Sequence, residues 1–156
     1  MKKYALIVFV LLLANCSTDH VLPYEDQLKK DTAAIDKYLA KNGITPVIDP
    51  SGLRLVIVDA GSGAFPVTTS KLTVIYTGTY LATGATFDRS ANPPQQFVTP
   101  LSNLIQGWQY GFAYIAKGGK ATFYIPSGLA YGNAGKGPIP ANSNLVFDVE
   151  LVSFSN

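Results

Sequence analysis

The run NLVFDVELVSF at 144–154 alternates large apolar side chains with polar or smaller ones, and a period of two is the signature of a strand with one dry face. Leu145, Phe147, Val149 and Leu151 fall on one side of it, Asp148 and Glu150 on the other. Three further β-rich runs precede it, LRLVIV at 53–58, KLTVIYTGTY at 71–80 and KATFYI at 120–125, separated by stretches rich in Gly, Pro and Asn. Leu72, Val74 and Tyr76 share a face, as do Ala121, Phe123 and Ile125, while Thr73, Thr77 and Thr122 point the other way. Half-buried strands of this kind pair into an antiparallel sheet with one wet side. Only GWQYGFAYIAKG, near 107–118, reads as a helix in this region, and its two early glycines keep it short. One sheet and one short helix to cover its apolar face define an α+β fold. The chain has 9 tyrosines besides Trp108, more than a small core needs, so some are expected to line a cavity.

The first sixteen residues, MKKYALIVFVLLLANC, do not belong to that core. Two lysines precede an apolar run at 4–14 that is too short to span a bilayer as a stable helix, the pattern of a secretory signal. Its end resembles a bacterial lipobox, with Asn15 where Gly or Ala is usual, and this implies lipidation of Cys16, the only cysteine; the alternative is a free thiol after an uncleaved anchor. Loss of 1–15 lowers the basic side chains from 12 to 10 against 10 acidic ones, so no basic surplus remains and nucleic acid is not an expected partner. An acylated, exported chain is expected at a bacterial envelope membrane, its folded part in the periplasm or outside.

Residues 17–23 read as a polar tether. The next stretch, 24–42, has helical character, with Glu25 and Asp26 at its start, Lys41 near its end and Gly43 as a stop. Its apolar stripe, Leu28, Ile35 and Leu39, is narrow, which suits packing on the domain or a pairing seam, and the helix reads as a spacer or a homodimer contact. The expected organisation is a signal peptide at 1–15, a lipid-attached tether and helix at 16–50, and a folded domain at 51–156.

Much familiar chemistry has no residues to perform it. The single histidine, His20, lies in the tether, away from any serine or cysteine nucleophile in the domain. Histidine clusters, cysteine pairs and close carboxylate constellations are missing from the β-rich part, so no metal and no cofactor is expected. YGNAGKGP lacks the Lys-Ser ending of a phosphate loop and reads as a turn-rich loop. Asp88 is the only acidic residue between Asp59 and Asp148, which leaves glycosidase chemistry without its second carboxylate. Prolyl isomerisation needs none of these groups. It requires an apolar, aromatic pocket that binds a twisted imide better than a planar one.

The segments GLRLVIVDAGSGAFP, LTVIYTGTYLATGATFD, LIQGWQYG, GGKATFYIPSGLAYG and IPANSNLVFDVEL resemble, in order and spacing, the FKBP-type peptidyl-prolyl cis-trans isomerases over 52–154. The resemblance implies a bent antiparallel sheet of about five strands wrapped around one short helix, with a pocket floored by Trp108. It implies walls from Tyr76, Phe87, Phe97, Leu104, Ile105, Tyr131, Ile139 and Phe147, and polar fixtures from Asp88, the Tyr131 hydroxyl and the Ile105 backbone N–H. Asp88, Trp108, Tyr131 and Phe147 are the expected catalytic set, and 126–143 the flap over the pocket. Proline-containing polypeptides and macrolide inhibitors are the implied ligands. Two departures stand beside Asp88: Gln95 occupies a place where an aromatic is common, and the only nearby arginine, Arg89, is directly adjacent to the aspartate. The segment between Asp88 and Trp108 is also about two residues shorter than in common members of the family, and with Gln95 it leaves open a non-catalytic chaperone or peptide-binding lipoprotein of the same fold.

Overall fold

In the computed structural model, which describes residues 23–90, 95–96 and 100–156, each of the four β-rich runs forms a strand. The signal peptide, Cys16, His20 and Phe97 lie outside the described residues. Strands β1 (Val47–Ile48), β2 (Arg54–Asp59), β3 (Lys71–Tyr80), β4 (Thr86–Arg89), β5 (Gln95–Gln96), β6 (Lys120–Ile125) and β7 (Leu145–Ser155) form one antiparallel sheet in the order β1-β2-β6-β7-β3-β4, with β5 also on β3. Five strands have four residues or more, as expected; β1 and β5 are two-residue additions.

The inner faces are those the alternation predicts. Leu72, Val74, Phe123, Ile125, Leu145 and Leu151 are fully buried there, around Trp108 and Phe112. One phase change was not legible. In the β3–β7 ladder Thr73 faces Ser153 but Val74 faces Leu151, so Val152 is the extra residue of a bulge. Beyond it the side-chain phase flips, and Phe154, opposite Leu72, packs on the core where strict alternation from Leu151 would have sent Ser153.

The covering helix, α2 (Gln106–Gly111), is shorter than the 107–118 stretch and gives way to a 3-10 turn at Phe112–Tyr114. Ile115 is already extended, and the Ala116 N–H donates to the Ala60 carbonyl at 2.8 Å, pinning the chain to the segment after β2. Glycine is required in α2 because helix and sheet nearly touch: a Cβ at Gly111 would stand 2.6 Å from Cε2 of Phe123.

The N-terminal helix, α1 (Tyr24–Lys41), ends as its sequence foretells. Ile44 N–H donates to the Leu39 carbonyl at 2.9 Å and Gly43 N–H to Ala40 at 3.2 Å, with Gly43 at φ +66°, a Schellman stop. Its stripe packs on the domain, the first of the two readings its narrowness allowed. Ile35 and Leu39 are buried with Tyr124 on the outer face of the sheet, flanked by Ile44, Val56, Leu81 and Val146. Polar clamps fix the docking: Arg54 donates Nε and one terminal nitrogen to Asp36 at 2.8 and 3.0 Å, and the buried Asp31 accepts both the N–H and the hydroxyl of Ser127 at 2.9 and 2.6 Å.

Candidate active site

The inner face of β3 carries Tyr76, Gly78 and Tyr80 in succession, and the missing side chain between the two tyrosines makes the site. A Cβ at Gly78 would lie 2.6 Å from Cζ of Phe87 and 2.9 Å from Cε1 of Phe147, the rings contributed by β4 and β7 on either side. With glycine there, the two rings meet edge to face at 5.5 Å. Trp108, in α2, then stands at the centre of an aromatic set, its ring 5.3 Å from Tyr76, 5.4 Å from Phe147 and 5.3 Å from Phe112, each contact edge-on.

These rings border an open-mouthed cavity of about 100 Å³ lined by Tyr76, Phe87, Asp88, Leu104, Ile105, Trp108, Tyr131 and Phe147. Eight of the ten expected pocket residues are thus brought together. Ile139 is not one of them: a tight turn, in which Lys136 and Ile139 exchange both backbone hydrogen bonds at 2.9 Å, points it into the core, where it is 7% exposed. Phe97 lies outside the described residues, and of Gln95 only the backbone pairing with Val74 is described.

Asp88 is the polar centre. Its Oδ2 accepts the Tyr76 hydroxyl at 2.8 Å and its Oδ1 the backbone N–H of Arg89 at 2.8 Å. Arg89 therefore serves the carboxylate through its backbone. Burial, reinforced by the hydrogen bond to Asp88 and its charge, pushes the Tyr76 hydroxyl far above the ordinary phenol range; burial and the same charge raise Tyr131. Both phenols therefore stay neutral donors at any physiological pH. Since the folded state favours their protonated forms, their contribution to stability is complete below about pH 10 and is lost as pH rises through the raised values.

Two residues that the sequence reading passed over position this site. Gln109 donates its amide to the carbonyls of Leu104 and Ser102 at 2.8 and 3.0 Å, fixing the loop that presents Leu104 and Ile105. Tyr80 packs on Phe87 at 5.1 Å and donates its hydroxyl to the Pro138 carbonyl of the flap at 2.8 Å. The period-two spacing of Tyr76 and Tyr80 was the available signal. The outer-face carboxylates play no part here: Asp148 accepts from Thr122 at 2.6 Å and Glu150 pairs with Lys120 at 3.1 Å.

Comparison with known proteins agrees with this geometry. Residues 63–152 match the family model of the FKBP-type peptidyl-prolyl cis-trans isomerases. The chain is 42% identical over 120 residues to the FKBP-type peptidyl-prolyl cis-trans isomerase FkpA of Aeromonas hydrophila, covering 76% of this chain and 44% of that one. It is 34% identical over 143 residues to the outer membrane protein MIP of Legionella longbeachae, covering 91% of this chain and 60% of that one. The crystal structure of a peptidyl-prolyl cis-trans isomerase from Pseudomonas syringae superposes with a TM-score of 0.70 at 30% identity, over 86% of this chain and 98% of that one. The chain spans less than half the length of the FkpA proteins it matches. A matched segment that includes β3, β4, α2, β6 and most of β7, and with them every residue lining the cavity, places the chain in the family of FKBP-type peptidyl-prolyl cis-trans isomerases.

Proposed function

We propose that the chain accelerates cis-trans rotation about X-Pro bonds of exported or envelope polypeptides, with Asp88, Trp108, Tyr131 and Phe147 as the working set. The observation that carries this reading is the small aromatic cavity with a single carboxylate at its open edge. A planar imide is stabilised by charge-separated resonance, which water favours; rotation destroys that resonance at a cost of roughly 18–20 kcal/mol. Moving the imide from water onto the rings of Trp108 and Phe147 weakens the solvation of the planar form more than that of the less dipolar, twisted one. The difference appears as rate, about tenfold for each ~1.4 kcal/mol. Asp88 need not move a proton. It fixes the Tyr76 ring and sets the field across the cavity mouth.

The test is turnover of a short X-Pro peptide by the fragment from Ser17 onward. Acceleration is expected, and a rate equal to the uncatalysed one at high protein concentration would sink the proposal. Asp88→Asn keeps the shape and removes the charge, so kcat/KM should fall about fivefold. The same variant should lower the Tyr76 hydroxyl part of the way toward the ordinary phenol range, read from near-ultraviolet phenolate absorbance, because burial remains while the carboxylate's charge is gone.

The envelope location rests on the signal-like head, on Cys16 and on the likeness to an outer membrane protein. No helix among the described residues is long and apolar enough to cross a membrane. A lipid on Cys16 is the proposed anchor, and mass spectrometry of the mature N-terminus should find Cys16 first and acylated; a chain still beginning at Met1 would refute it.

A further inference from the structure

A larger groove of about 870 Å³, lined in part by Tyr80, opens between α1, the turn at 81–85 and the flap. Its floor and walls are mainly apolar, from Tyr38, Leu81, Ala82, Ala85, Pro138 and Pro140. Along one edge stand Lys37 and Lys41, one helical turn apart, and the lining includes no carboxylate. One ring contact links groove and cavity. Tyr80 lines the groove and packs its ring on Phe87 of the cavity, while its hydroxyl donates to the carbonyl of Pro138, another groove residue.

The geometry points to this groove as a second contact site for the client, taking an apolar, acid-bearing stretch of the same unfolded polypeptide whose X-Pro bond occupies the cavity. This inference rests on the isomerase reading above. A cavity of about 100 Å³ accommodates little beyond the prolyl ring, whereas 870 Å³ falls within the range of sites that hold several side chains. A chain passing over Tyr80 enters the groove without a connecting linker, so the second contact forms at high effective concentration. The two lysines select for a carboxylate on that stretch, and Asn142 and Ser143 supply polar groups for its backbone. The groove is built by α1, which explains why α1 is clamped to the domain by the buried Asp31 and Arg54 rather than left as a tether.

The experiment compares the full chain with Ala34→Trp, which fills the groove from α1, and with Lys37→Glu/Lys41→Glu, which reverses its edge charge on an exposed helix face. Two substrates are used: a four-residue X-Pro peptide, and a long unfolded polypeptide with acidic and apolar residues near its proline, whose refolding is limited by that bond. The expected result is short-peptide kcat/KM within about twofold of the parent in both variants, with polypeptide KM raised about fivefold at unchanged kcat. An unchanged polypeptide KM in the charge-reversed variant overturns the inference. A dimer in sedimentation that Ala34→Trp dissolves, with polypeptide KM unchanged, overturns it in favour of a second copy of the chain. Should the parent turn over neither substrate, the isomerase reading fails separately. Fluorescence anisotropy of the labelled polypeptide then decides the groove: binding about fivefold weaker in the variants upholds it, and equal binding refutes it.

Discussion

Replacing Asp31, which lines no part of the pocket, by alanine should cost about 3 kcal/mol of folding stability. Asp31 is 3% exposed, and its carboxylate takes three donors: the Ser127 N–H at 2.9 Å, the Ser127 hydroxyl at 2.6 Å and the Gln27 amide at 2.7 Å. Ser127 is itself fully buried, so truncation strands its hydroxyl in the interior, although its N–H keeps Asn144 Oδ1 at 3.1 Å. The damage should reach further than one bond. Ser127 opens the turn Ser127–Leu129, and its carbonyl accepts the Gly132 N–H at 2.8 Å, so it anchors the strap that carries Tyr131. Asp36→Ala provides the contrast. That carboxylate is half exposed, and Arg54 retains its bond to the Gly52 carbonyl at 2.9 Å, so about 1 kcal/mol is expected. Denaturant midpoints at constant m-value measure both; an Asp31→Ala midpoint equal to the parent's would show that α1 is not an integral layer of the domain.

Asp31 also shows where the sequence stopped being readable. Strand faces were legible because burial on a sheet obeys a local period, and the end of α1 was legible because Gly43 acts on its own neighbours. What α1 docks against was not. Its partners Arg54, Ser127 and Asn144 lie far along the chain, and a carboxylate on a charged helix looks the same in sequence whether water or a buried serine receives it. The same limit hid the bulge at Val152, which depends on the register with β3. In the pocket, eight residues named by the family resemblance line one cavity, while Ile139 is buried in the core beside them, its place set by a four-residue turn that spacing alone does not reveal. Gly78 carries no functional group to notice, yet the approach of two rings depends on the atom it lacks.

Phe147→Ala should produce the largest combined effect, a loss of about 3–4 kcal/mol in stability and a fall in kcat/KM of about a hundredfold. Phe147 is 4% exposed near the start of β7, and its ring makes edge contacts with Trp108 and Phe87 and a tilted one with Tyr76 at 6.2 Å. Removing it opens the cavity towards Gly78, which has no side chain to refill the space, so the hole persists and admits water beside the imide. Water restores solvation to the planar form, and the preference for the twisted one is lost. Phe147→Leu separates the two consequences: it restores most of the volume, so stability should return to within about 1.5 kcal/mol of the parent. The ring edge facing Trp108 is still missing, so kcat/KM should recover only in part. If Phe147→Ala instead weakens peptide binding while turnover of the short peptide, corrected for unfolded protein, stays at the parent level, the cavity is a recognition site and not the seat of rotation. If the parent binds proline-containing peptides but never accelerates them, the chain is the non-catalytic binder that Gln95 and the shortened segment after Asp88 leave open.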